Sequence, residues 1–183
     1  MLTRQGAYLL QAAEEQIDVA LFERLAGEGR RALAAEDAGR ASAVLGEALA
    51  LWRGAPLADF RFEPFAQAEI ARLEELRAEV EDRIEADLAL GRHAQVVSEL
   101  EALVAADPLR ERPHQQLIVA LYRCGRQADA LAAYQKARRT LAEELGIEPC
   151  QQLRQLKRAI LDQDPSLNPS ARARSPCLLN HSA

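Results

Sequence analysis

Apolar residues recur every three or four positions along most of this chain, which is the spacing of an amphipathic α-helix. One clear example is the run Val44, Leu45, Ala48, Leu49 and Trp52, whose side chains share one helical face. Glycine, proline and aspartate interrupt the pattern at the points where helices are expected to begin and end. The pattern predicts seven helices, over about 19–35, 38–52, 65–90, 93–106, 112–124, 127–145 and 149–162.

Local signals set several of these boundaries. Asp18 and Asp37 precede the first two helices and are good N-cap residues, because their carboxylates accept hydrogen bonds from the first free backbone N–H groups. Gly54 and Pro56 break the chain, so residues 55–64 are predicted to form a loop. Pro64 suits the start of the third helix, where no backbone N–H donor is needed.

The two ends of the chain differ from this helical middle. Tyr8-Leu9-Leu10 has the composition of a strand, but a lone strand without a partner is not stable in water. We therefore interpret residues 1–16 as the remnant of a neighbouring domain and residues 17–163 as the helical domain. Residues 164–183 contain three prolines and little apolar periodicity, so they are predicted to be a disordered tail.

A short motif repeats within the helical region. Gly91-Arg92 returns 34 residues later as Gly125-Arg126, and 34 residues is the period of the tetratricopeptide repeat. Each Gly-Arg turn is predicted to join two antiparallel helices, and the helices over 19–35 and 38–52 form a further pair. The fold class is therefore all-α, with tetratricopeptide-like antiparallel helix pairs in a superhelical array. The alternative is a helical bundle whose spacing matches by accident.

Other residues at the same offset have roles in this interpretation. Ala130 and Ala137 are small enough to let neighbouring helices approach closely, and Tyr134 fills the space between them. Pro108, after Asp107, marks the end of one helix pair and the start of the next. These residues, with Trp52 and the two turn glycines, are the predicted structural positions of the repeat.

Composition narrows the range of functions. The 183 residues include 23 lysines and arginines against 28 aspartates and glutamates, a net charge of -5. Proteins dedicated to nucleic-acid binding usually carry a basic excess, so direct DNA binding is not predicted. Cys124, Cys150 and Cys177 are odd in number and far apart, which indicates reduced thiols and a cytoplasmic location. No apolar run is long enough to span a membrane.

Motifs for catalysis or for cofactor and metal binding are absent from the sequence. His93, His114 and His181 do not have the spacing of metal ligands, and a surface role is expected for them. There is no phosphate-binding glycine loop, no dinucleotide-binding glycine motif and no G-x-S-x-G element. We therefore predict that the chain is not an enzyme and binds no cofactor and no metal ion.

Two sets of residues are candidates for protein contacts. The first is a group of basic side chains, which suit an acidic protein surface or DNA phosphates, with a solvated helix face as the alternative. Its members are Arg138, Arg139, Arg154, Lys157 and Arg158. The second is Trp52 with the nearby phenylalanines, which are expected in the core, with a partner hot spot as the alternative. These phenylalanines are Phe60, Phe62 and Phe65.

Three stretches together resemble the bacterial transcriptional activator domain of the Streptomyces antibiotic regulatory protein family. They cover residues 48–59, which contain Leu-Trp-Arg-Gly, residues 72–93, and residues 125–149, which end in Glu-Leu-Gly-Ile-Glu-Pro. Ala7 and Cys150 depart from the family pattern, since a glycine is usual at both positions. The resemblance extends over about residues 17–165.

The resemblance implies a role in transcription. In that family the helical domain follows a winged helix that binds promoter repeats, and the pair activates transcription by engaging RNA polymerase. Residues 3–10 look like the last strand of such a winged helix, so the resemblance implies that residues 1–16 are the remnant of a winged-helix C-terminal hairpin. The implied partners are RNA polymerase or another regulator, a second copy of the chain, and promoter DNA only through the winged helix. The alternative hypothesis is a stand-alone tetratricopeptide-like adaptor that binds a partner peptide.

Overall fold

The computed structural model describes residues 2–4, 7–9, 18–54, 56–79 and 82–167. It divides the chain into two compact units, residues 1–90 and residues 91–183. Helices account for most of the described residues, as the periodicity of the apolar positions predicts. The two units are described separately below.

The first unit begins with a short antiparallel hairpin. Strand β1 (Leu2–Arg4) pairs with strand β2 (Ala7–Leu9), and Thr3 lies opposite Tyr8. The expectation that the strand at Tyr8 has no partner was therefore wrong. Its partner is strand β1, which has only three residues. Such a segment is too short for its pattern of apolar and polar residues to indicate a strand. Leu10, which was predicted to extend the strand, lies outside the described residues.

Four helices form the rest of the first unit: α1 (Asp18–Ala34), α2 (Ala38–Ala50), α3 (Gln67–Glu79) and α4 (Asp82–Ala89). The sequence predicts one helix over 65–90 where the structure has α3 and α4. Residues 80 and 81, between these two helices, lie outside the described residues. Helix α2 ends at Ala50, two residues before the predicted end.

Helices α1 and α2 form a close pair. Only three residues connect them, which makes them antiparallel neighbours, and the Asp37 side chain accepts a hydrogen bond from the Arg40 backbone N–H over 3.0 Å. Asp37 is therefore the N-cap that the sequence predicts. Gly29 of α1 lies directly against the Leu45 side chain, with no room for a Cβ atom between them. The absence of a side chain at Gly29 thus sets how closely the two helices approach.

The core of the first unit is apolar with one polar exception. Ser42 on α2 and Asp87 on α4 are buried, and the Ser42 hydroxyl donates to Oδ1 of Asp87 over 2.7 Å. Arg83 donates to the other carboxylate oxygen, Oδ2, also over 2.7 Å. The buried apolar residues around α1 and α2 are Phe22, Leu25, Ala26, Ala32, Ala41, Leu45 and Ala48, joined by Ala86 of α4.

The second unit contains α5 (His93–Ala106), α6 (Glu111–Arg123), α7 (Gln127–Leu145) and α8 (Gln151–Leu161). Helix α6 packs against α5, α7 and α8. The apolar side chains that are fully or almost fully buried in the second unit include Val96, Leu100, Val104, Leu117, Ile118, Leu121, Leu141, Leu153 and Ile160. These positions follow the helical spacing read from the sequence.

The repeated glycines have matching backbone conformations. Gly91 has φ 79° and Gly125 has φ 77°, the left-handed region that residues with a side chain rarely adopt. After α6, the Arg126 N–H donates to the Leu121 carbonyl oxygen over 2.9 Å, which closes the helix end before α7 begins. The similarity in sequence therefore corresponds to the same glycine conformation at both positions.

Four further predicted repeat residues belong to the second unit. Ala130 and Ala137 are fully buried on α7, and Tyr134 between them is 4% exposed. Pro108 lies in the connection between α5 and α6, where Nε2 of His114 is 3.0 Å from its carbonyl oxygen. His114 is 2% exposed, so the expected surface role for this histidine was wrong: its ring satisfies a polar backbone group at the helix connection.

The structure continues a short way past α8. Residues Pro165–Leu167 form a single 3₁₀ turn, and Arg123 donates from Nε to the Leu167 carbonyl oxygen over 2.8 Å. The predicted disorder does not hold for residues 164–167, because this contact ties them to the end of α6. The remainder of the predicted tail, residues 168–183, lies outside the described residues.

Candidate protein-interaction surfaces

The loop between α2 and α3 carries three exposed phenylalanines. Phe60 is 47% exposed, Phe62 is 90% exposed and Phe65 is 74% exposed. Because all three rings are exposed, the expectation that these residues belong to the core was wrong. We call Phe60, Phe62 and Phe65 the aromatic loop.

The aromatic loop has a defined conformation despite its exposure. The Phe60 and Phe65 ring centroids are 5.8 Å apart, and the Arg61 guanidinium carbon lies 5.8 Å from the centre of the Phe62 ring. The Gln67 side chain donates from Nε2 to the Arg61 carbonyl oxygen over 2.5 Å. The contact between the Phe60 and Phe65 rings and the hydrogen bond to the start of α3 thus order the loop backbone and two of its rings, which lowers the entropy cost of a contact with a partner.

An apolar cleft of about 360 Å³ adjoins the same loop. Trp52 lines it and packs edge-to-face on Phe22, with ring centroids 5.3 Å apart and ring planes at 89°. Trp52 is half-buried against the core of the first unit, which is where the sequence places it. Further lining residues are Val19, Leu51, Pro56, Leu57, Ala58 and Leu73. The cleft is shaped to accept an apolar side chain.

A second surface brings together most of the predicted basic residues. Arg138 on α7 and Arg154, Lys157 and Arg158 on α8 line one cleft of about 310 Å³ in the second unit. Arg139, the fifth candidate, is exposed on α7 but is not among the residues that line this cleft. Tyr134, Glu148 and Leu161 complete its lining. We call this site the basic cleft.

Charge is arranged unevenly within the basic cleft. Arg138 and Glu148 form an ion pair, with Nη2 to Oε1 at 2.8 Å and Nε to Oε2 at 3.0 Å. Hydrogen bonds from Arg138 lower the pKa of Glu148, and the nearby positive charge of Arg154 adds to the shift. Glu148 is therefore ionised throughout the neutral range, and Arg138 is the cation that it neutralises.

Helix α8, which supplies three of these cations, is fixed to its neighbours. The backbone N–H of Cys150, immediately before α8, donates to Oε2 of Glu111 on α6 over 2.7 Å. At the other end, Gln127 donates from Nε2 to the Ile160 carbonyl oxygen over 3.3 Å. Leu153 and Ile160 are fully buried. The basic side chains are thus presented from a helix anchored at both ends.

Neither surface has the composition of a metal site. Within the described residues, no group of three or more histidine, cysteine, aspartate or glutamate side chains is placed to hold a metal ion. Cys124 and Cys150 are free thiols. In the part of the chain that the structure describes, no helix has the length and apolar character that crossing a bilayer requires.

Comparisons with known proteins agree on one family. The model of the bacterial transcriptional activator domain matches residues 17–161. The chain is 46% identical to the regulatory protein DnrI of Streptomyces peucetius, over 91% of this chain and 61% of DnrI. It is 44% identical to the regulatory protein AfsR of Streptomyces griseus, over 91% of this chain and 17% of AfsR. The chain therefore spans only part of the length of these curated relatives.

A solved structure has the same fold. Mycobacterium tuberculosis EmbR, determined in complex with a low-affinity phosphopeptide, superposes with a TM-score of 0.83 at 36% sequence identity. The match covers 93% of this chain and 46% of the EmbR chain. This likeness supports the tetratricopeptide-like helical fold, and the relatives of this chain include the transcriptional regulator RedD of Streptomyces coelicolor. The match over residues 17–161 shows that this chain belongs to the bacterial transcriptional activator domain family.

Proposed function

We propose that this chain is the protein-contact module of a bacterial transcriptional activator and that it engages RNA polymerase or another regulatory protein through its helical surface. DNA is read by a winged-helix domain distinct from the helices described above, and the hairpin β1–β2 is the end of that winged helix. Membership of the activator family favours this function over that of a stand-alone adaptor.

The observation that carries this proposal is the exposure of the aromatic loop. Phe62 is 90% exposed and Phe65 is 74% exposed, although a folded chain gains free energy by burying such rings. Aromatic side chains are enriched at protein interfaces, where they act as anchors of large area. The apolar cleft beside the loop, lined by Trp52, supplies a place for a partner side chain.

The EmbR structure gives independent support for a protein partner. That protein was solved with a phosphopeptide bound, so one relative of this chain binds a segment of polypeptide. Since this chain corresponds to 46% of EmbR, we carry over only the general idea of a protein partner and not the phosphopeptide itself.

A binding experiment with RNA polymerase tests the proposal. The purified chain is immobilised and exposed to RNA polymerase holoenzyme from a Streptomyces host, the genus of the relatives named above. We expect saturable binding that falls at least tenfold in a Phe62→Ala/Phe65→Ala variant. The matched control is Leu109→Ala, which removes an apolar side chain that is 37% exposed in the second unit.

Equal binding by the wild type and the aromatic variant would contradict a role for the aromatic loop. Absence of binding to the holoenzyme would contradict the contact with RNA polymerase and leave another regulatory protein as the proposed partner.

A gel-shift experiment tests whether DNA is bound by a domain other than these helices. Because the chain carries a net charge of -5, we expect no shift of promoter DNA at physiological salt.

A further inference from the structure

The basic cleft has an excess of positive charge, because cations outnumber carboxylates in its lining. Four cations, Arg138, Arg154, Lys157 and Arg158, surround it, whereas Glu148 is its one carboxylate. Glu148 is paired with Arg138. Within the described residues, none of the other three cations forms a salt bridge. Their charges are available to an anionic ligand in a chain that is acidic overall.

The three α8 cations lie along one face of the helix. Arg154, Lys157 and Arg158 occupy positions i, i+3 and i+4, and Leu161 follows at i+7, so the four side chains form a stripe. Such a stripe is about 10 Å long, since a helix rises about 1.5 Å per residue. This length matches three residues of an extended polypeptide, which rises about 3.3 Å per residue.

The cleft also has an apolar component. The Tyr134 ring forms its base and is 4% exposed, and the Lys157 ammonium group lies 5.4 Å from the ring centroid. Leu161, at the end of the stripe, is 53% exposed. A ligand that offers both carboxylates and an apolar side chain would meet complementary groups along the whole cleft.

Size and surroundings favour a peptide over duplex DNA. A concave site of about 310 Å³ accommodates a few side chains, whereas a duplex presents a convex rod with phosphates along its length. Glu148 projects into the same cleft, and the whole chain has a net charge of -5. A long polyanion would be repelled beyond the three cations, but a short acidic segment would not.

We propose that the basic cleft binds an extended acidic segment of a partner protein, with carboxylates on Arg154 and Arg158 and an apolar side chain against Leu161. Lys157, held over Tyr134, sits between these contacts and adds a further positive charge. The binding is charge-assisted, so it weakens as the salt concentration rises. This site lies on the second unit and does not depend on the aromatic loop or on the contact with RNA polymerase.

Isothermal titration calorimetry of the full 183-residue chain with synthetic peptides tests the proposal. The probe is a ten-residue peptide that contains Glu-Ser-Glu-Ser-Leu, because alternate side chains of an extended chain point to the same face and both carboxylates and the leucine can then meet the cleft. Its control replaces every glutamate with glutamine. We expect the acidic peptide to bind and the neutral peptide to bind at least tenfold more weakly. An Arg154→Gln/Arg158→Gln variant should lose at least tenfold in affinity for the acidic peptide.

Two matched variants make the test specific. Arg139→Gln removes the same kind of charge from α7 outside the cleft, and we expect less than a twofold change in peptide affinity. The Phe62→Ala/Phe65→Ala variant should bind the acidic peptide like the wild type, whatever its behaviour with RNA polymerase. A negative result for peptide binding at the basic cleft is therefore distinct from a negative result for binding to RNA polymerase.

Three outcomes would overturn the proposal. One is the absence of binding by the acidic peptide at low salt. Another is an equal loss in Arg139→Gln and in the cleft variant, which would mean general attraction of an anion to the helix surface. The last is tighter binding by a 20-base-pair duplex than by the peptide, because that would make a nucleic acid the ligand.

Discussion

The hydroxyl group of Ser42 donates a hydrogen bond to Oδ1 of Asp87 over 2.7 Å, although 45 residues separate the two in the sequence. Both residues are buried, and Arg83 satisfies the second oxygen of the carboxylate. A buried charge is tolerated only when it is paired and hydrogen-bonded. This network therefore links α4 to α2 inside the core of the first unit.

Removal of the Asp87 carboxylate should lower the stability of the protein. We expect Asp87→Ala to lower the free energy of unfolding by about 3 kcal/mol, because it removes the buried carboxylate to which both Ser42 and Arg83 donate. Ser42→Ala should cost about 1 kcal/mol, as one neutral donor is lost. Urea denaturation followed by circular dichroism measures both values. Glu74→Ala, at an exposed position of α3, is the control; a loss there equal to that in Asp87→Ala would contradict the explanation.

The close approach of α1 and α2 predicts opposite effects for two glycines of the same helix. Gly29→Ala places a methyl group on the Leu45 side chain, so we expect a loss of about 1–3 kcal/mol. Gly27→Ala meets no atom within 4 Å and should stabilise α1 by about 0.5–1 kcal/mol through higher helix propensity. Thermal unfolding of the two variants measures the difference. Similar melting temperatures would contradict the packing described for Gly29.

His93 should make stability depend on pH. Burial lowers the pKa of His93 below its ordinary value of 6.5, and the positive charge of Arg123 lowers it further. Between about pH 6.5 and the folded pKa, the unfolded chain binds a proton that the folded chain does not. The contribution of His93 to stability is therefore complete above pH 6.5 and decreases as the pH falls below it.

A comparison with His93→Gln isolates this contribution. The variant should lose less stability than the wild type between pH 7.5 and pH 5.5, because it lacks the imidazole of His93, while all other titrating groups are common to both proteins. Urea midpoints at the two pH values give the measurement. An identical pH dependence in the two proteins would show that the imidazole pKa is not lowered by folding.

The aromatic residues of the first unit should differ in how much they contribute to stability. Trp52→Ala removes a half-buried ring that contacts Phe22 edge-to-face, and we expect a loss of about 2–4 kcal/mol. Phe62→Ala removes a ring that is 90% exposed, so stability should change by less than about 0.5 kcal/mol. Melting curves by circular dichroism test both. A large loss in Phe62→Ala would mean that the ring supports the fold and is not reserved for a partner.

Features set by neighbouring residues were predictable from the sequence. Local rules on helix ends account for the Asp37 cap and for the turns at Gly91 and Gly125. The spacing of apolar residues accounts for the burial of Tyr134. The basic stripe of α8 was also visible, because its i, i+3, i+4 spacing places the cations on one face. The role of Arg138 required the structure, since the approach of α7 to α8 brings it into the same cleft.

Features that depend on distant contacts were not predictable. Ser42 and Asp87 look like ordinary polar positions of two amphipathic helices, and only the packing of α2 against α4 brings them together in the interior. Phe60, Phe62 and Phe65 were assigned to the core because aromatic rings are usually buried. Whether the core has room for these three rings depends on how the helices pack against one another, which the local sequence does not show.

The position of Trp52 has a consequence for spectroscopy. It is the single tryptophan of the chain, and it lies in the first unit beside Phe22. Its fluorescence emission therefore reports the unfolding of residues 18–90, whereas far-ultraviolet circular dichroism sums the helices of both units. One urea titration followed by both signals shows whether the chain unfolds in a single step. Coincident curves mean that the two units unfold together, and separated curves mean that each has a stability of its own.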